Sequence, residues 1–258
     1  MATNLWTDVE ALERLARSAR AAEGSWPGDA PALLPESRGA GFALAAFERP
    51  AASVSGDLLD VFALGPSEIA FVVGDVSGKG IPAGVLGAFT RSILRHVAPL
   101  GAAPGDTLER VNRILCGARL DAMYVTLFFG VLDVRTGRLR FANGGHPPAL
   151  RLGRRGRAAG FGAATGPILG QLDRRRFDTG MLRLEPGDLV VVHTDGVTEA
   201  RRRDGAFFGR SRLARALEGL ANRSPEGARA EVAASLLAFE GDRRHDDATL
   251  LALAFDPV

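Results

Sequence analysis

The chain has 258 residues, of which 46% are hydrophobic and 24% charged, with 32 basic against 30 acidic side chains and a mean hydropathy of +0.05. These proportions exclude a disordered chain, a collagen and a coiled-coil rod. A formal charge of +2 argues against a general nucleic-acid binder, although a pI near 9.3 and Arg runs at 154–157, 174–176 and 201–203 leave a local anion-binding face open. The single cysteine, Cys116, provides neither an intrachain disulfide nor a thiolate zinc site and points to a reducing compartment. No run of 18 apolar residues occurs and the first ten residues lack a secretory pattern, so the expectation is a cytoplasmic protein with no membrane segment.

In chain order, Leu5, Val9, Leu12, Leu15, Ala16 and Ala19 fall at helical spacing and predict an amphipathic helix over 5–22. It either packs on its own domain or serves self-association or a regulatory protein. Residues 24–41 are rich in Gly, Pro, Ser and Ala and read as a linker. The expected division is 1–40 as lead-in helix and linker and 41–258 as one domain; some 40 residues are too few for a separate sensor domain. Strands are predicted at 42–49, 54–63 and 68–74, then helices at 82–97, with Pro82 in the first turn, and at 105–118. Further strands are expected at 123–133, 138–142, 147–152, 177–184 and 188–193, followed by helices at 210–220 and 226–239 and a last strand at 249–255. Strand blocks and helix pairs run separately, which predicts an α+β fold with antiparallel sheets covered by helices.

Four acidic turns follow strand-like segments: Ser55-Gly56-Asp57 with Asp60, Gly74-Asp75-Val76-Ser77-Gly78-Lys79-Gly80, Thr194-Asp195-Gly196, and His245-Asp246-Asp247-Ala248-Thr249. One aspartate in a glycine turn is ordinary turn chemistry. Four that converge would repel and raise one another's pKa unless cations neutralise them, and an all-oxygen donor set suits Mg2+ or Mn2+ better than zinc or copper. Gly78-Lys79 is not a phosphate-binding P-loop, because that pattern needs Gly at 73 and Ser or Thr at 80, where this chain has Val73 and Gly80. The lysine is the only one in the chain. His146 in the Asn143–Pro148 turn and His193 beside Thr194 read as hydrogen-bonded structural residues, and Cys116 as buried packing.

Leu33-Leu34-Pro35, the four acidic segments, Asn143-Gly144-Gly145-His146-Pro147-Pro148, Pro186-Gly187-Asp188 and Phe208-Gly209 occur in an order that resembles the metal-dependent PPM protein serine/threonine phosphatases, in their bacterial SpoIIE/RsbU-like branch. The resemblance implies a four-layer αββα sandwich carrying two Mn2+ or Mg2+ ions that activate a water. Asp75 would bridge both ions, Asp57 and the Val76 carbonyl would serve one, and Asp195 and Asp246 the other, with Asp75, Asp195 and Asp246 as the catalytic set. Asp60, Ser77, Lys79, Gly196 and Asp247 are candidates for supporting or substrate-contact roles. Ser77 stands where eukaryotic members carry a His that can act as general acid. The implied substrate is a phosphorylated STAS-domain anti-sigma-factor antagonist in a partner-switching pathway, with no nucleic-acid partner. The rival readings are a noncatalytic phosphoprotein-binding module of the same fold and a hydrolase of small phosphate esters.

Overall fold

The computed structural model describes residues 37–39, 41–51, 54–101, 103–118, 122–241 and 244–256. The predicted helix over 5–22 lies outside the described residues. In chain order the elements are β1 (Ser37–Gly39), β2 (Gly41–Arg49), β3 (Asp57–Ala63), β4 (Glu68–Val76), α1 (Ile81–Val97), α2 (Pro104–Gly117), β5 (Val125–Asp133), β6 (Arg138–Gly144), β7 (Ala149–Leu152), β8 (Ala158–Phe161), β9 (Gly180–Arg183), β10 (Leu189–His193), α3 (Asp195–Thr198), α4 (Gly209–Glu218), α5 (Pro225–Glu240) and β11 (Ala248–Asp256).

The strands form two sheets, one ordered β1-β2-β11-β10-β7-β8 and the other β3-β4-β5-β6-β9, and every neighbouring pair is antiparallel. Side chains alternate across a strand, so each sheet presents two faces, and three cores result. Between the sheets lie Leu59, Phe71, Val73, Phe128, Val190, Val192 and Leu251. Helices α1 and α2 cover the outer face of the five-stranded sheet through Leu86, Leu94, Leu108, Val111 and Leu115. Helices α4 and α5 cover the other sheet through Leu213, Leu217, Val232 and Leu236. This is the expected αββα sandwich.

Local chemistry explains where the elements begin and end. Pro82 and Pro104 sit in first turns, where a missing N–H costs nothing. Ser224 caps α5 by accepting from the Gly227 amide at 3.0 Å, and Gly241 ends that helix at φ 66°. The strand expected over 177–184 is shorter, because Phe177 joins the helix-side core and the Asp178 amide bonds Thr165 O at 3.0 Å, leaving Gly180–Arg183 to pair with β6. The edge strands β1 and β8 and the single-turn α3 were not anticipated. Cys116 is half-buried rather than buried; its thiol lies 3.6 Å from Asn112 Oδ1, one helical turn earlier. Among the described residues no helix is long and apolar enough to cross a membrane.

Candidate metal centre

The antiparallel register decides which acids meet. Asp57 opens β3 and Asp75 nearly closes β4, and the two are direct cross-strand partners. Both share the parity of Leu59, Phe71 and Val73, so both carboxylates lie on the inter-sheet face at one end of the sandwich. In the facing sheet β10 ends at His193 and β11 starts at Ala248, which brings the turns carrying Asp195 and Asp246-Asp247 to that same end. Thr194 stitches the turns together. Its amide bonds Thr249 O at 3.0 Å, its hydroxyl accepts from the Thr249 amide at 3.0 Å, and the same hydroxyl donates to Asp57 Oδ2 at 2.9 Å.

Electrostatics mark these acids as a strained group. Asp57 is buried, and burial above all holds its pKa well above the usual carboxylate range; Asp75 adds to the rise and the Thr194 hydrogen bond opposes it. Asp75 is pushed from 3.8 to about 7, first by burial and then by the charges of Asp195, Asp246 and Asp247. Asp195 is raised by burial, by Glu199 and by Asp246. Each acid therefore feels its neighbours, as desolvated like charges must.

The supporting candidates fall into different roles. Asp247 clamps the loop before β3 by accepting from the Ala51 amide at 2.7 Å and the Gly56 amide at 2.7 Å. Gly56 lies so close to β4 that a Cβ there would stand 3.1 Å from Val76 O and 3.7 Å from Asp75 Oδ1, so glycine keeps both oxygens accessible. Gly196 serves close approach too, since a Cβ would fall 1.8 Å from Asp247 O. The Ser77 hydroxyl accepts from the Tyr124 amide at 2.8 Å, and its own amide bonds Tyr124 O at 3.0 Å, so it fastens the turn after β4. Lys79 reaches across to the Asp246 loop, with Nζ 3.4 Å from Asp246 Oδ1. Asp60 departs from expectation: three residues beyond Asp57 it faces the helices, between Leu58 and Phe62, and receives Arg95 of α1 through bonds of 2.6 and 2.5 Å.

His146 and His193 are held by local hydrogen bonds. His146 Nδ1 lies 3.0 Å from Thr126 Oγ1, its amide donates to Asn143 Oδ1 at 2.7 Å, and its Nε2 has no hydrogen-bond partner among the described residues. His193 Nδ1 lies 2.9 Å from Thr194 O. Burial lowers their pKa values to about 3 and about 4, so both are neutral near pH 7. Thr194 and Thr249 belong to the site without having been singled out beforehand. Thr249 is buried beside the Asp57 carboxylate, and its hydroxyl favours the charged form. Both threonines flank motif aspartates, which was the available signal.

Hard oxygen donors that grade from buried Asp57 through half-buried Asp75 and Asp195 to exposed Asp246 fit divalent cations of the Mg2+ or Mn2+ type. Among the described residues no three acidic or imidazole side chains already form a cage around one point. Asp57 is engaged by Thr194, Asp246 by Lys79 and Asp247 by two amides, so a cation would recruit these carboxylates from existing partners.

The family model described as stage II sporulation protein E (SpoIIE) matches residues 65–256. The chain belongs to the SpoIIE family. The match takes in Asp75, Val76, Asp195 and Asp246 and leaves Asp57 and Asp60 just outside. Among curated SpoIIE-like relatives, protein IcfG of Synechocystis sp. is 35% identical over 239 residues, covering 81% of this chain and 37% of IcfG. Phosphoserine phosphatase RsbU of Bacillus subtilis is 29% identical over 214 residues, covering 81% of this chain and 62% of RsbU. The chain thus spans less than two thirds of either relative. Among solved structures, the RsbU and RsbW domains of Rv1364c from Mycobacterium tuberculosis superpose with a TM-score of 0.76 at 27% identity, over 91% of this chain and 65% of that one. The fold is also that of RsbX solved with magnesium, with a TM-score of 0.65 at 17% identity, over 86% of this chain and 98% of RsbX.

Proposed function

We propose that this chain is a metal-dependent phosphoprotein phosphatase acting on phosphoserine or phosphothreonine. The observation that carries the reading is the meeting of Asp57, Asp75, Asp195 and Asp246 at one end of the sandwich, where burial above all, with neighbouring carboxylates adding to it, drives up the pKa values of Asp57, Asp75 and Asp195. Membership of the SpoIIE family and similarity to the phosphoserine phosphatase RsbU supply the reaction class. Asp57, Asp75 and the Val76 carbonyl would hold one ion, and Asp75, Asp195 and Asp246 the second. Divalent cations held there would supply an acidified water and neutralise charge on the phosphoryl oxygens.

The protein's own residues do the positioning. Thr194 orients Asp57 and locks the two sheets' turns to each other, Asp247 holds the loop that precedes Asp57, and Gly56 and Gly196 keep the turns close enough for the acids to share one space. Neither His146 nor His193 carries a proton to give to a leaving alkoxide near neutral pH, and the Ser77 hydroxyl is oriented by the Tyr124 amide. In this reading the leaving oxygen takes its proton from solvent within the site.

The substrate we infer is a phosphorylated STAS-domain anti-sigma-factor antagonist in a partner-switching pathway. Its support is the likeness to RsbU and to a chain in which RsbU and RsbW domains occur together. The test is phosphate release from a phosphorylated STAS protein, beside an aryl phosphate, with added Mn2+. Wild type should turn over the phosphoprotein in preference, and Asp75→Asn and Asp195→Asn should lose at least about a thousandfold in kcat. Undiminished turnover in both variants removes the metal-centre assignment, and tight phosphoprotein binding without turnover in wild type favours the noncatalytic module.

A further inference from the structure

Lys79 is the only lysine in the chain and projects from the turn after β4 between two glycines in the left-handed region, Gly78 at φ 99° and Gly80 at φ 74°. Its ammonium spans to a loop 166 residues away in sequence, donating to His245 O at 3.3 Å and pairing with Asp246 Oδ1 at 3.4 Å. Asp246 is the rim member of the acidic group, its side chain 57% exposed, and its Oδ1 also accepts a hydrogen bond from the Asp247 amide at 3.2 Å. The site therefore carries a cation of its own on the one carboxylate that an entering ion meets first.

We propose that Lys79 is a tethered counter-ion that competes with a divalent cation for Asp246. The inference rests on the metal-centre reading above and adds to it a residue that sets how tightly the second ion is held. A dication bound by Asp246 would stand within a few ångströms of the ammonium if Lys79 stayed in place, so like-charge repulsion requires the lysine to leave as the ion arrives. Displacement is cheap, because the Lys79 side chain is 72% exposed and exposed pairs are weak. The flanking glycines allow the turn to swing outward. Among the described residues no ammonium or guanidinium pairs with Asp57, so the effect falls on one of two binding steps. Once released, Lys79 leaves a positive charge at the mouth of the site.

Calorimetric titration of Mn2+ into metal-stripped protein tests this without reference to turnover. Lys79→Met should bind one of its two ions about two- to fivefold more tightly than wild type, the range that exposed pairs allow, with unchanged stoichiometry, and the difference should shrink in 0.5 M salt. Lys79→Arg keeps the charge and should match wild type. Equal or weaker Mn2+ binding by Lys79→Met, with wild type binding two ions, overturns the competition while leaving the metal centre intact. Failure of wild type itself to bind Mn2+ at millimolar concentration removes the metal centre and this inference with it.

Discussion

Replacing Asp75 by Asn should make the metal-free protein more stable, the reverse of the usual effect of changing a half-buried polar residue. The carboxyl of Asp75 is raised from 3.8 to about 7 by burial and by Asp195, Asp246 and Asp247. A shift of that size corresponds to about 4 kcal/mol of strain in the ionised native state at pH 8. Asparagine removes the charge at constant size, but its amide must find partners in the same place, at a cost of about 1–2 kcal/mol. The net gain is about 2 kcal/mol, or about 4–8 °C in Tm for a chain of this size. The pH dependence has a definite sign. With a folded pKa above the unfolded one, the native state holds a proton that the unfolded state has released, so Asp75 costs stability as pH rises from about 4 to 7 and costs nothing below. The Tm advantage of Asp75→Asn should therefore be full at pH 8 in chelator and be lost before pH 4, where the variant should melt below wild type by the cost of placing its amide. Comparing the two proteins at each pH cancels the opposing contribution of neutral His146 and His193. Saturating Mn2+ should reverse the order, since binding at a hundred times Kd adds about 2.7 kcal/mol to wild type and little to the variant. An Asp75→Asn protein that melts below wild type in chelator at pH 8 refutes the electrostatic account.

Three further substitutions separate the roles at this end of the sandwich. Asp60→Asn breaks the ion pair with half-exposed Arg95 and should cost about 1 kcal/mol in urea unfolding with Mn2+ affinity unchanged; a tenfold loss of affinity would return Asp60 to the metal centre. Gly196→Ala drives a Cβ into the Asp247 carbonyl and should cost about 2–4 kcal/mol together with Mn2+ binding, whereas a variant of native stability would show that the two turns are not in the contact described. Asp247→Ala releases the amides of Ala51 and Gly56, and amide hydrogen exchange at Gly56 should speed up at least tenfold, as for loss of a bond worth about 1.5 kcal/mol; unchanged protection at Gly56 would count against the clamp.

Much of the sandwich was legible because its signals are local. Alternation and turn residues marked the long strands, and helical periodicity marked α1, α2, α4 and α5. The acids were found for a related reason, since each stands in a glycine turn beside a strong strand, and antiparallel pairing brings the start of β3, the end of β4, the end of β10 and the start of β11 to one end. What escaped depends on contacts far apart in sequence. The Ala158–Phe161 segment has weak strand propensity and is extended because β7 offers it an edge. Residues 37–39 are extended for the same reason beside β2. The face that Asp60 takes was also legible: an offset of three from Asp57 along a strand places it on the opposite side, toward the helices. Thr194 was overlooked because a threonine at a strand end carries no acidic signal, and its role exists only once Asp57 of the other sheet lies 2.9 Å away.

The position of the acids also explains why the strain at the site can persist. Register fixes the carboxylates of Asp57 and Asp75 opposite each other whatever their mutual repulsion, because slipping β3 by one residue would turn Leu59 away from the inter-sheet core and Leu58 away from the helices. Below them Phe71 and Phe128 are fully buried and stacked with centroids 6.2 Å apart. Each contributes about 1.5–3 kcal/mol by burial, so two or three such side chains offset the cost of the ionised group above them. Core and site are thus coupled through register. Truncating Phe128 to Leu should lower the stability of the metal-free protein by about 1–2 kcal/mol and leave the ligand geometry in place, and Mn2+ should then restore stability by the same increment that it adds to wild type. A smaller increment in Phe128→Leu, measured as the shift in Tm on adding Mn2+, would show that the site's geometry is held by packing of individual side chains and not by strand register.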